Sequence, residues 1–165
     1  MSATLVIRQA GAADASALSQ LLLPVFRAGD TYTVDPDITA ADAVAYWTAP
    51  GKTTFVAERG SQTLGTYYVR ANQGGGGDHV CNCGYITASD ARGQGIARAM
   101  LSHSLDQARA MGFRAMQYNF VVATNTRAVA TWEKAGFDIV GRLPDAFHHP
   151  ADGYVDALVM YRSLV

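Results

Sequence analysis

"SDARGQGIARAM", Ser89 to Met100, carries two glycines, Gly93 and Gly95, into the start of a helical pattern. Glycine there costs backbone entropy and weakens a helix by about 1 kcal/mol relative to alanine. A plain connector gains nothing from two of them. Upstream, "HVCNCGYITAS" reads as a strand. Downstream, Ile96, Ala97, Met100, Leu101, Leu105 and Ala108 fall on one stripe of a helix, with Arg98, Ser102, Asp106 and Arg109 opposite. Gly112 ends that helix. The stretch is a strand–turn–helix unit whose turn exposes backbone N–H groups at a helix start, unobstructed by side chains, to an anion.

Two familiar versions of such a turn do not fit. A dinucleotide-binding turn needs Gly-x-Gly-x-x-Gly or Ala, and the sixth position counted from Gly93 is Arg98. A nucleotide-triphosphate loop needs Gly-Lys-Ser/Thr, which the chain lacks.

Working outward, a short strand over Thr4–Arg8 precedes "GAADASALSQLLLPVF", where Leu18, Leu21, Leu22 and Val25 recur at helical spacing behind an Asp14 cap. "TAADAVAYWTAP" is a second helix, stopped by Pro50 and Gly51. "TTFVAE" and "QTLGTYYVR" form an antiparallel hairpin across "RGS", and "NQGGGGD" is a mobile hairpin loop. After the central helix come a strand "FRAMQYNFVV", a helix "TNTRAVATWEKAG" and two strands, "FDIVGRLP" and "YVDALVMYRSL". The predicted order is β-α-α-β-β-β-α-β-α-β-β over one domain, residues 1–165.

Charged residues make up 16% of the 165 and the formal charge is −1, which excludes the basic stripe that nucleic-acid binding requires. No targeting pattern or bilayer-length apolar run is present, so the expectation is a cytoplasmic protein with no membrane partner. Cys81 and Cys83 lie too close along one strand face for an unstrained disulfide. With His79 they alternate along one strand face, offering three ligands, but no fourth partner is evident, and the expectation is no metal.

"RGQGIA" resembles the Q/R-x-x-G-x-G/A pyrophosphate loop of the GNAT N-acetyltransferase superfamily, with Arg92, Gly95 and Ala97 on the defining positions. "NTRAVATWEKAGF", Asn125 to Phe137, is similar to that family's next element, N-x-x-A-x-x-x-Y-E-K-x-G-F. Both motifs occur in order, one helix and one strand apart. The resemblance implies an α/β GNAT fold, with a mixed, mostly antiparallel central sheet splayed between the fourth and fifth strands and helices on both faces. It implies acetyl-coenzyme A as cosubstrate, its pyrophosphate on the amides of Arg92, Gly93, Gln94, Gly95, Ile96 and Ala97. The pantetheine arm is expected along Tyr85, Ile86 and Thr87, with Asn125, Ala128 and Trp132 on the facing helix.

Acyl transfer from a thioester to an amine needs a proton acceptor, an oxyanion donor and a partner for the departing thiolate. By resemblance the oxyanion donor is the backbone N–H of Tyr85. Where the family often has a tyrosine to meet the thiolate, this chain has Trp132, whose indole N–H is not a useful acid. Asn125 is the substitute, and it also reads as a simple helix cap. No carboxylate stands at a persuasive base position; His148 and His149, between the last two strands, are within reach of the acceptor, and deprotonation through water is the other reading.

A closer resemblance spans Gly29 to Leu164. "GDTY", "LGTYYVR", "VCNCGYI", "YNFVVATN" and "YVDA" are similar to the acetyltransferases of proline analogues such as azetidine-2-carboxylate. It implies that Asn82, helped by the backbone amides of Asn119 and Phe120, holds an acceptor carboxylate, in a chain with no spare arginine nearby; Asn82 also reads as a buried polar group satisfied by neighbouring backbone, and Tyr32, Tyr46 and Trp47 either line the pocket or are core aromatics. The expected partner is a small-molecule amine, with room for a homodimer. The competing readings are a protein N-terminal or aminoglycoside-type acetyltransferase and a non-catalytic coenzyme A binding module.

Overall fold

A computed structural model describes residues 3–165. Its elements are β1 (Leu5–Gln9), α1 (Ala15–Ala28), α2 (Ala40–Trp47), β2 (Thr53–Arg59), β3 (Gln62–Ala71), β4 (Val80–Thr87), α3 (Ile96–Ala110), β5 (Ala115–Val122), α4 (Thr126–Lys134), β6 (Asp138–His149) and β7 (Gly153–Ser163). This is the expected order. Short 3-10 turns at Ala12–Asp14, Gly75–Gly77 and Ser89–Ala91 join them.

The strands form one seven-stranded sheet in the order β1-β2-β3-β4-β5-β7-β6. Every neighbouring pair is antiparallel except β4 and β5. That parallel pair touches only at Val80–Ala115 and Cys81–Met116, after which the strands part. The predicted splay between the fourth and fifth strands is present.

Alternation along the strands assigns the two faces. Tyr67, Val69, Cys81, Cys83, Met116 and Tyr118 pack beneath α3, against Met100, Leu101 and Leu105. Val56, Tyr68 and Ile86 point the other way, into a cluster with Leu18, Leu22 and Phe26 of α1 and Trp47 of α2. The Trp47 indole, fully buried, donates to Thr66 Oγ1 at 3.0 Å, and that hydroxyl donates to the Phe55 carbonyl, so the buried polar atoms are paired.

Two local expectations change. Asp14 does not cap α1 with its side chain. Its carboxylate instead accepts from the Gly11 amide at 2.7 Å and from two Arg8 nitrogens at 2.8 and 2.9 Å, because a 3-10 turn runs straight into the helix and turns the side chain back toward β1. Arg8 and the Gly11 amide hold that carboxyl below the usual range. His148 and His149 do not lie in a loop: they end β6. A register shift between Leu143 and Phe147 lets the strand pass Pro144 and resume pairing with β7.

Candidate active site

The turn between β4 and α3 has the conformation its glycines suggested. Gly93 and Gly95 adopt φ of 78° and 80°, the left-handed region, and a Cβ built on either meets nothing within 4 Å. Gly95 is the N-cap of α3 and supplies no side-chain cap. The N–H groups of the first turn therefore face open space with the positive end of a 15-residue helix behind them. Gln94 turns aside, donating to the Asp90 carbonyl and accepting from Arg59.

From this turn a cavity of about 1450 Å³ runs along β4 and through the splay to the α1–α2 face. Arg92, Ile96 and Ala97 line one end, Ile86 and Thr87 the strand wall, and Asn125, Ala128 and Trp132 the α4 wall. Backbone groups alternate along a strand, so Cys83, Tyr85 and Thr87 turn their N–H and C=O toward the gap, while Gly84 and Ile86 turn theirs toward β3.

Tyr85 is the pivot. Its N–H donates to the Tyr32 hydroxyl at 2.9 Å, and that hydroxyl donates to the Tyr85 carbonyl at 2.9 Å. Tyr32 thus occupies both gap-facing groups of the residue from which an oxyanion donor was expected. The Tyr85 side chain points the opposite way, where its hydroxyl lies 2.7 Å from Ser104 Oγ and accepts from Tyr118 at 3.1 Å. Burial pushes the Tyr32, Tyr85 and Tyr118 phenols well above their ordinary values, so all three stay neutral.

Asn125 caps α4, its Oδ1 accepting from the Ala128 amide at 3.3 Å. Its Nδ2 makes no hydrogen bond among the described residues, and the residue lines the cavity. Trp132 packs on the Tyr85 and Tyr118 rings, with centroids at 5.2 and 4.8 Å. It fills the place of the family's tyrosine as a wall.

The expected acceptor residues converge at the far end. Asn82 is buried and donates to the Gln117 carbonyl at 2.9 Å, tying β4 to β5. Asn119 accepts from Gln117 Nε2 and donates to Asn72 Oδ1. Asn119 and Phe120 lie in a bulge, skipped by the β5–β7 ladder, so their backbone groups are released from pairing beside the cavity. Tyr46 lines the same end; Trp47 is sealed in the core.

One further residue at this end is charged. Arg70 lines the cavity, and its buried Nε has no partner. The expectation of no spare arginine nearby is therefore incorrect. The available signal was the alternation in "YYVR", which sets Arg70 on the face of Tyr68.

His149 lines the cavity; its Nδ1 accepts from the Ala151 and Asp152 amides at 3.1 and 3.2 Å and lies 3.4 Å from the Asp152 carboxylate. His148 stacks on Tyr154 with centroids 4.5 Å apart and is exposed. Among the described residues no His, Cys, Asp and Glu side chains gather into a group of three able to hold a metal. Cys81 and Cys83 are free and buried, and burial raises the Cys83 thiol.

A glycine-cradled helix start leading into a splayed parallel strand pair defines a class of acyl-coenzyme A enzymes. The chain belongs to the acetyltransferase (GNAT) family, whose model matches residues 16–137, and is an N-acetyltransferase with the acetyl-coenzyme A-binding fold. It is 28% identical over 148 residues to the N-acetyltransferase aca1 of Schizosaccharomyces pombe, covering 79% of this chain and 71% of that one. A GCN5-related N-acetyltransferase from Kribbella flavida is 39% identical, with a TM-score of 0.91 over 96% of this chain and 97% of that one. A phosphinothricin acetyltransferase from Sinorhizobium meliloti, solved in complex with acetyl-coenzyme A, shares the fold at 21% identity. Its TM-score is 0.84 over 97% of this chain and 88% of that one.

Proposed function

We propose that this enzyme transfers acetyl from acetyl-coenzyme A to the amine of a small carboxylated acceptor, an amino or imino acid of the proline-analogue type. The observation that carries the reading is the single cavity joining the free α3 N-terminus to a polar pocket on the α1–α2 face. The residues fit the cosubstrate: glycines with open space above them suit a pyrophosphate, and gap-facing amides suit a pantetheine arm. The amides of Arg92 through Ala97 hold the former, except that of Gln94, which donates to the Ala91 carbonyl within the turn. Tyr85, Ile86 and Thr87 border the latter on β4, and Asn125, Ala128 and Trp132 close the α4 side.

When bound, the cosubstrate supplies a thioester, an acyl donor open to attack by an uncharged amine. The Tyr85 N–H takes the acyl oxygen in place of the Tyr32 hydroxyl and stabilises the negative charge that grows on it. Asn125 donates through Nδ2 to the departing sulfur, stabilising a thiolate without protonating it. Asn82, Asn119, the Phe120 backbone and Tyr32 position the acceptor, and its proton leaves through water in the open cavity. The protein works in this reading as a cytoplasmic enzyme on free small molecules, as a monomer or homodimer; no helix of the described residues is long and apolar enough to cross a membrane.

The test is thiol release with azetidine-2-carboxylate, a peptide N-terminus and an aminoglycoside as acceptors. Turnover highest with azetidine-2-carboxylate is expected. Highest turnover with the peptide or the aminoglycoside overturns the acceptor class, and coenzyme A binding without thiol release from any acceptor supports the non-catalytic alternative.

A further inference from the structure

Among the described residues, Arg70 is the sheltered arginine with nothing to bind. Its Nε is buried without a hydrogen-bond partner, none of the ion pairs includes it, and no aromatic ring carries it. Arg92, Arg98, Arg114 and Arg127 also lack hydrogen bonds, but they are exposed and water serves them. A buried polar group with no partner calls for a specific reason, and a ligand that brings the missing acceptor is one.

The position of Arg70 says what that ligand is. Arg70 stands opposite Asn82 across the β3–β4 ladder, so both side chains share the α1–α2 face with Tyr68. All three line the acceptor end of the cavity. Behind Tyr68, the Lys52 ammonium lies 3.8 Å from the Tyr46 ring centroid and 4.4 Å from that of Tyr68. Burial and the charge of Arg70 push the Lys52 pKa down to about 8. Lys52 itself lies outside the cavity and donates to the Tyr46 carbonyl, so Arg70 is the cation at this end, and no carboxylate of the described residues is in ion-pair range of it. Of the groups expected to bind an anion there, the Asn82 side chain already donates to the Gln117 carbonyl, and the backbone amides of Asn119 and Phe120, released from the β5–β7 ladder, carry no charge to offset a carboxylate's.

Resting on the acceptor class proposed above, we propose that Arg70 is the anchor of the acceptor's carboxylate. Its planar fork pairs with both carboxylate oxygens, a geometry that lysine or asparagine does not reproduce. Asn82, three residues before Tyr85, lies roughly 10 Å along the strand from it. A carboxylate paired with Arg70 beside Asn82 belongs to an acceptor short enough for its amine to meet the acyl group within that span. Arg70 therefore selects α-amino or α-imino acids over longer or uncharged amines.

The test compares azetidine-2-carboxylate with azetidine, which lacks the carboxylate, in wild type, Arg70→Gln and Arg70→Lys. Thermal stability and coenzyme A affinity are measured alongside to confirm that each variant is folded. Arg70→Gln is expected to raise KM for azetidine-2-carboxylate tenfold or more, leaving KM for azetidine and coenzyme A affinity unchanged. Arg70→Lys, keeping the charge but not the fork, restores part of the loss. If the wild type prefers azetidine-2-carboxylate and Arg70→Gln keeps that preference, the assignment of Arg70 falls and the acceptor class stands. If the wild type uses both acceptors with equal kcat/KM, the acceptor class itself falls, and Arg70 loses its ligand with it. A loss in Arg70→Gln that is equal for the two acceptors marks a structural role and overturns the anchor.

Discussion

The Tyr32 hydroxyl accepts from the Tyr85 N–H, the group proposed to receive the acyl oxygen, and donates to the Tyr85 carbonyl. Removing it leaves a buried amide without a partner, which costs about 1–3 kcal/mol. Tyr32→Phe is therefore expected to lower the melting temperature of the free protein. If the acyl oxygen takes over the same amide, that deficit shrinks with saturating acetyl-coenzyme A. Thermal melts of both proteins with and without the cosubstrate read this directly; an undiminished deficit means that Tyr85 does not receive the acyl oxygen. Asn125 poses a different question, because its Oδ1 is a cap and its Nδ2 is free. Asn125→Ser keeps a capping oxygen, so stability changes by only a few tenths of a kcal/mol. A donor to sulfur acts most strongly in the transition state, so its loss shows in kcat more than in KM. The expected result is a kcat at least tenfold lower in Asn125→Ser at matched stability. A value within twofold of wild type assigns Asn125 to capping alone.

At the scale of elements, α3 presents the proposed pyrophosphate site. Its N-terminus carries no side-chain cap, and the positive φ of Gly95 aims the first-turn amides outward. That φ also dictates the right probe of the site. Valine at 80° adds backbone strain to any steric effect, whereas asparagine tolerates the left-handed region. Gly95→Asn is expected to keep the fold, melting within a few degrees of wild type, and to weaken coenzyme A binding tenfold or more by filling the anion's approach. Calorimetry that finds unchanged affinity in the folded variant places the pyrophosphate elsewhere. β4 and β5 are the complementary element pair: their two-residue contact closes one end of the gap, and the bulge at Asn119 and Phe120 opens the other. The order of these elements was legible in the period of apolar residues, since helix and strand patterns depend on neighbours a few positions away. The ends of β6 were not, because Pro144 reads locally as a terminator, and only pairing with β7 carries the strand through to His149.

Across the whole molecule, the splay is a line of backbone groups left without a strand partner in the middle of a seven-stranded sheet. Such groups are costly unless another partner serves them, and Tyr32 serves only one residue's pair. Hydrogen exchange is expected to be faster at Cys83 and Thr87 than at Gly84 and Ile86, which face β3. Acetyl-coenzyme A is expected to slow Thr87 and Tyr85 selectively, as its arm fills the gap. Uniform slowing over all of β4 points instead to a general gain in rigidity, and no slowing places the arm outside the splay.

The chain's own order of residues determined the glycine turn, the helix start behind it, the alternation that assigns each strand residue to a face, and through two spaced motifs the family. Each depends on backbone preferences and apolar spacing that act over a few neighbouring positions. Only the tertiary structure decided which polar groups are spent and which are free. Tyr32 reaches the Tyr85 backbone across 53 positions, and Asn82 is bound to a carbonyl 35 positions away, while Arg70 is left facing the cavity alone. The packing of α1 and α2 onto one face of the sheet brings such distant groups together. A hydrogen bond is decided by position to within a few tenths of an ångström, a precision that the packed core supplies and local pattern does not.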